Sequence, residues 1–146
     1  MARRFTLAEA QSLIPRVDRL LREAVSLKSQ YQEAEEAVQA VMQRVTLMGG
    51  MMVDRDRVID SKNRRDETRS KLGTAIEQVQ EVGCVVKDLD MGLIDFPTLL
   101  RDEEVYLCWK LGEPAIAFWH GVNEGFRGRK AIDQDFLDHH LGDRTQ

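Results

Sequence analysis

From Leu13 to Met48, apolar side chains recur in alternating steps of four and three: Leu13, Val17, Leu20, Ala24, Leu27, Tyr31, Ala34, Val38, Val41, Val45 and Met48. A strand repeats every two residues and cannot present that seam; a helix can, as a sustained heptad stripe. One helix of roughly 50 Å follows from a rise of ~1.5 Å per residue. Phe5-Thr6-Leu7-Ala8-Glu9 supplies its start, because Thr6 can cap the free N–H groups and Glu9 can reach back to close a capping box. Gly49-Gly50 ends it. Pro15 falls inside the pattern; it lacks an N–H and its ring crowds the Gln11 carbonyl, so a kink or break is expected there.

A second helix begins at Asp54 or Asp56 and runs to Val82, where Gly83 provides a left-handed stop. The short connection between the helices makes them antiparallel neighbours. Pairing around Met51 sets Leu20, Leu27 and Tyr31 against Val82, Ala75 and Leu72. Farther out, Val38, Val41, Met42 and Val45 meet Arg65, Ser61, Asp60 and Arg57, with only Val58 and Ile59 to offer apolar surface. Either the stems of Lys and Arg lie over this stripe, or something else covers it. The mismatch favours the second account: an interface of Val38, Val41, Met42, Val45, Met48, Met51 and Met52, used for a homodimer or a protein partner. The methionines suit an adaptable contact surface.

After Gly83 the period changes to alternation. Cys84–Leu89 reads as a strand, Asp90-Met91-Gly92 as a turn with positive φ at Gly92, and Leu93–Phe96 as the returning strand, with Lys87 opposite Asp95 and Val86 opposite Phe96. Glu104–Leu111 and Ala115–His120 form a second hairpin around Gly112-Glu113-Pro114. Pairing Leu111 with Pro114 sets Trp109 opposite Ile116, Leu107 opposite Phe118 and Val105 opposite His120, so that Leu107, Trp109, Ile116 and Phe118 make the core face. Gly121 to Lys130 reads as a loop. The fold expected is α+β: a long antiparallel helical hairpin packed at its base on a small antiparallel sheet of about four strands. The chain is one domain, with the arm over residues 7–82, the sheet and a Gly/Arg loop over 83–130, and a short helix and tail over 131–146.

Some function classes are disfavoured at this level. The net charge of −4 argues against bulk nucleic-acid binding. The second helix carries Arg55, Arg57, Arg64, Arg65 and Arg69, but Asp54, Asp56, Asp60, Asp66 and Glu67 interleave with them and cancel the field. No run approaches the ~20 apolar residues of a membrane span. Two cysteines, Cys84 and Cys108, make no disulfide framework and are expected to be reduced, buried thiols in a cytoplasmic protein. Arg3 and Arg4 are not followed by the apolar stretch of a signal sequence.

Three groups of residues carry candidate chemistry. Asp88, Asp95 and His120 are catalytic candidates, and Asp88, Asp90 and His120 could hold a divalent metal if the strands converge. Arg127 and Arg129 in Gly125-Phe126-Arg127-Gly128-Arg129-Lys130 could bind an anion, since glycines let the backbone close and arginines match an anion as a fork. Asp135, His139 and Asp143 are spaced for one helix face, although Gly142 interrupts it. None of these has a diagnostic spacing.

The motifs A-x-S-L-I-P-R-V, V-K-D-L-D-x-G-L-I-D-F-P, V-Y-L-C-W-K-L-G-E-P, F-W-H and G-F-x-G-R resemble those of a bacterial family known as domain of unknown function 2203. The resemblance covers nearly the whole chain. It implies a small, single-domain, cytoplasmic bacterial protein without an established activity, and it transfers no catalytic residue. Two functions remain in view. The first is an interaction or assembly module working through the arm, with no cofactor. The alternative is a small metal-dependent or anion-binding enzyme with its site around Asp88, Asp95, His120 and Arg129.

Overall fold

The computed structural model describes residues 3–49 and 54–141. Helix α1 spans Leu7–Leu47. The capping box closes as its sequence requires: Thr6 Oγ1 accepts from the Glu9 N–H at 3.0 Å, and Glu9 Oε1 accepts from the Thr6 N–H at 2.9 Å. Pro15 does not break the helix. Ala10, Ile14 and Val17, on both sides of the proline, are buried in the core, and that packing outweighs one lost backbone bond. Helix α2 spans Arg55–Glu81, capped by Asp54, and packs against α1 to form the hairpin. Gly83 follows with φ +114, the left-handed stop the sequence called for.

The distal seam is covered within the chain more fully than the residue pairing suggests. Val38 is buried, while Val41 and Val45 are half-buried and share a cleft with Val58 and Arg57. Arg65 is also half-buried, so arginine stems shield part of the stripe.

Among the described residues, five strands form one antiparallel sheet in sequential order: β1 Val85–Asp88, β2 Leu93–Leu100, β3 Glu103–Lys110, β4 Phe118–Gly121 and β5 Lys130–Ala131. The additional strand, β5, lies at the end of the stretch expected to be loop. β2 runs through Pro97 because β1 has ended opposite Asp95. A residue's N–H and C=O leave a strand on the same side, and the Pro97 carbonyl faces Phe5, accepting its N–H at 2.7 Å. The missing proline donor therefore points to an edge and not into a ladder. Arg101 and Asp102, both with positive φ, make the tight β2–β3 turn.

Both sequence-derived registers need correction. In the first hairpin Val85, not Lys87, lies opposite Asp95, and Val86 lies opposite Ile94, with an irregularity between Val86 and Asp88. In the second, Leu107 pairs with Trp119, Tyr106 with His120 and Cys108 with Phe118. That is a one-residue slip, and it reverses the faces of β4. The chain does turn tightly, the Glu113 N–H donating to the Lys110 carbonyl at 2.9 Å. But the Glu113 carboxylate takes the Lys110 N–H at 2.8 Å, its carbonyl takes Trp109 Nε1–H at 3.0 Å, and the Ile116 N–H goes to Gln11 Oε1 at 2.9 Å. Pro114–Ala117 therefore stay out of the ladder, which starts at Cys108 and Phe118.

One sheet face is the core. Ile94, Phe96, Leu107 and Trp109 pack with Phe5, Ile14, Val17 and Leu21 of the N-terminal segment and α1 and with Val79 of α2. A short helix α3, Gln134–His139, closes one end by setting Phe136 against Trp119, ring centroids 5.4 Å apart. The opposite face carries the polar cluster described next.

Candidate metal centre

Alternation along three neighbouring strands puts Asp95, Cys108 and Phe118 in one cross-strand row, and Pro97, Tyr106 and His120 in the next, all on the face away from α1. Asp95 and Cys108 are fully buried and His120 is 3% exposed. His120 Nε2 lies 3.0 Å from both carboxylate oxygens of Asp95, and its Nδ1 lies 2.8 Å from the Gly121 carbonyl. A carbonyl only accepts, so Nδ1 carries a proton. The Nε2–carboxylate contact then needs a proton of its own, held by one partner or the other. Burial raises the Asp95 pKa; hydrogen bonding and the charge of His120 hold that rise in check.

The Cys108 thiol hydrogen-bonds Asp95 and is pushed up to about 12, first by burial and then by the Asp95 charge. It is not an activated nucleophile: His120 is engaged by Asp95, and at neutral pH the sulfur keeps its proton.

One donor atom from each of Asp95, Cys108 and His120 lies within 4.8 Å of the others. A tetrahedral zinc-class ion needs its ligands at about 2.0–2.3 Å, which separates them by three to four ångström or so. His120 Nε2 and the Asp95 oxygens, 3.0 Å apart, are already near that spacing. The His120 ring is already set for it, since a ligating histidine characteristically donates its second N–H to a carbonyl or carboxylate. Sulfur, imidazole and carboxylate together suit a borderline-soft divalent ion rather than magnesium or calcium.

Aromatic and cationic groups roof the cluster. Tyr106 covers His120 with ring centroids 5.6 Å apart, and Lys87 Nζ stands 4.8 Å above the Tyr106 ring. Beside Cys108, the Arg129 guanidinium lies 3.9 Å from the Phe118 ring centroid and 4.6 Å from that of Phe126. It forks onto Glu113 at 2.5 and 3.3 Å and places Nη1 4.0 Å from Cys108 Sγ.

The structure thus brings together Asp95, His120 and Arg129. It does not bring Asp88 or Asp90 to them. Asp88 caps the β1–β2 turn by accepting the Met91 N–H at 3.0 Å, and Asp90 is exposed and pairs with Lys28 at 2.7 Å. Arg127 is exposed on the turn Phe126–Gly128. Asp135 and His139 sit 3.3 Å apart on α3, with Asp135 bound to Arg101, while Asp143 lies outside the described residues. Cys84 is buried elsewhere, its thiol donating to the Val79 carbonyl. Of the arm residues, Met42 and Met48 are exposed, and Met51 and Met52 lie outside the described residues. Sequence reasoning missed Cys108 and Glu113 as members of the site. Alternation did place Cys108 apart from Trp109, on the mixed face of β3, but the slipped β4 register sent His120 to the opposite face.

No curated protein and no solved structure matches the chain. A family described as an uncharacterised conserved protein matches residues 3–132, which takes in α1 and α2, the whole sheet and every residue of the cluster. The chain belongs to that family, domain of unknown function 2203.

Proposed function

We propose that this protein binds one divalent transition-metal ion through Asp95, Cys108 and His120. The support is the convergence of three buried donor side chains of different chemistry, from three different strands, within 4.8 Å. A fold seldom buries a carboxylate and an imidazole together on a sheet face without use, because each has a desolvation cost, and here a thiol stands beside them. Three protein ligands leave a fourth position open, as in catalytic rather than structural zinc centres. Cobalt(II) titration tests this reading. One equivalent should bind and give a sulfur-to-cobalt charge-transfer band, absent in Cys108→Ser and weakened in His120→Ala. No stoichiometric uptake, or an unchanged band in Cys108→Ser, overturns it.

The arm supports a second reading, self-association. Leu47 is 80% exposed, and Ile59, Met48 and Met42 on the distal part of the two helices are exposed as well. Leu47 and Met48 come from the end of α1 and Ile59 from the start of α2, so two copies could meet tip to tip through the same patch. Light scattering at several concentrations decides it. A dimer that Leu47→Ser/Met48→Ser dissolves supports the reading, and a monomer throughout removes it.

A further inference from the structure

Arg129 is not spent in the way a surface arginine usually is. Its side chain is only 9% exposed, flat against two aromatic rings, and it stands between the buried donor set and a carboxylate that reaches solvent. On the inner side Nη1 is 4.0 Å from Cys108 Sγ; on the outer side both terminal nitrogens hold Glu113, whose side chain is 23% exposed. The space beside Arg129 therefore already holds a carboxylate, in fork geometry, next to a proposed metal ligand.

We infer that the open position of the metal takes a small carboxylate ligand, recognised by Arg129, with Glu113 as the internal competitor for that arginine. The inference rests on the metal reading. A divalent ion with the Asp95 carboxylate and a Cys108 thiolate is electrically neutral, and so is the Arg129–Glu113 pair. A ligand at the fourth position of a tetrahedral site stands about 3.5 Å from the ligating sulfur; placed on the Arg129 side of that sulfur, it comes within reach of a guanidinium whose Nη1 is 4.0 Å from it. A neutral ligand would leave that guanidinium to Glu113. A carboxylate held by the metal through one oxygen would have its other oxygen for Arg129, and Glu113 would give up the guanidinium and turn to solvent. No bond is oxidised or reduced. Phe118 and Phe126 keep water from the guanidinium faces, which strengthens its charge-assisted bonds.

The test is a titration of cobalt-loaded protein with acetate, followed by the visible cobalt spectrum, in wild type, Glu113→Gln and Arg129→Lys. Glu113→Gln removes the competing charge and retains an oxygen to accept the Lys110 N–H. Acetate should change the ligand-field bands, at a concentration at least ~5-fold lower in Glu113→Gln and at a higher one in Arg129→Lys, which keeps the charge but lacks the fork. Cobalt uptake with no spectral response to acetate in wild type or Glu113→Gln overturns this inference and leaves the metal reading standing. An equal response in all three proteins removes Arg129 and Glu113 from it. Failure to take up cobalt overturns the metal reading and this inference with it.

Discussion

The Asp95 carboxylate and the His120 imidazole, 25 positions apart in the chain, meet at 3.0 Å with a shared proton between them and almost no access to water. Such a pair depends on both members. Removing one leaves a buried, unpaired polar or charged group, which typically costs about 3–5 kcal/mol. His120→Ala is therefore expected to lower the stability of the metal-free protein by roughly that amount in urea denaturation. Replacing both, as Asp95→Leu/His120→Leu, should recover a large part of it, because apolar groups need no partner. A His120→Ala cost below about 1 kcal/mol would mean that water enters the cluster and that the pair is not dry.

Most of the architecture was legible in the sequence, and the assembly of the site was not. The heptad seam, the Thr6–Glu9 cap, Gly83 and Gly92 each act locally, so their structural consequences can be read in place. The relation of Asp95 to Cys108 and His120 is set by the register of three strands. Register depends on Glu113, whose carboxylate and carbonyl take the Lys110 N–H and Trp109 Nε1–H, and on Gln11 of α1, which takes the Ile116 N–H, so the residues after the turn do not pair. The tight turn itself was legible, but continuing the ladder straight from it gave a one-residue slip that moved His120 to the wrong face. Likewise, Pro15 signals a break on local grounds that burial of Ile14 and Val17 overrides.

The two thiols should be inert in the folded protein. Burial pushes Cys84 up to about 11, and burial with the Asp95 charge pushes Cys108 to about 12. At pH 8.5 neither should react with iodoacetamide unless the chain is unfolded, and mass spectrometry should find both alkylated only in denaturant. The same shifts set an alkaline limit. From the ordinary thiol range near ~8.5 up to about 11, the folded chain holds a proton on Cys84 that the unfolded chain has lost. Stability is fully present below that window and falls as pH rises through it. Cys84→Ala should flatten the fall in urea midpoints between pH 8 and 10.5. An unaltered slope would show that other groups control it.

Metal binding, if it uses these ligands, must release protons. Cys108 enters as a thiol, and the Asp95–His120 contact holds a shared proton, so both protons leave when the three donors turn to an ion. Calorimetry of zinc binding in buffers of different ionisation enthalpy should detect this release, and apparent affinity should rise with pH. Zinc bound without proton release would be held somewhere else.

Gly92 and Gly112 both have positive φ, +67 and +100, yet they should respond differently to alanine. A Cβ on Gly92 would stand 2.6 Å from Leu111 Cβ, whereas nothing among the described residues lies within 4 Å of one on Gly112. Gly112→Ala carries backbone strain alone, about 1 kcal/mol; Gly92→Ala adds overpacking and is expected to cost about 2–4 kcal/mol. Because Gly92 joins β1 to β2 and its carbonyl accepts the Leu111 N–H at 2.8 Å, the second change should also loosen the end of the sheet near Lys110. Equal thermal shifts for the two variants would contradict the close approach.

The arm allows a separation of stability from association. Val38 is 5% exposed inside the helical seam and Leu47 is 80% exposed at the tip. Val38→Ser removes buried apolar surface and introduces a hydroxyl, for an expected cost of about 2–3 kcal/mol in urea denaturation. Leu47→Ser touches nothing that folding buries and should fall within ~0.5 kcal/mol of wild type. If the tip is a self-interface, light scattering should reverse the order, with Leu47→Ser weakening the dimer at concentrations where the Val38→Ser chain is still folded and paired. A Val38→Ser variant that keeps its stability and loses association would instead mean that the distal seam opens to receive the second copy, and that its cover by Arg57 and Arg65 is only the resting arrangement.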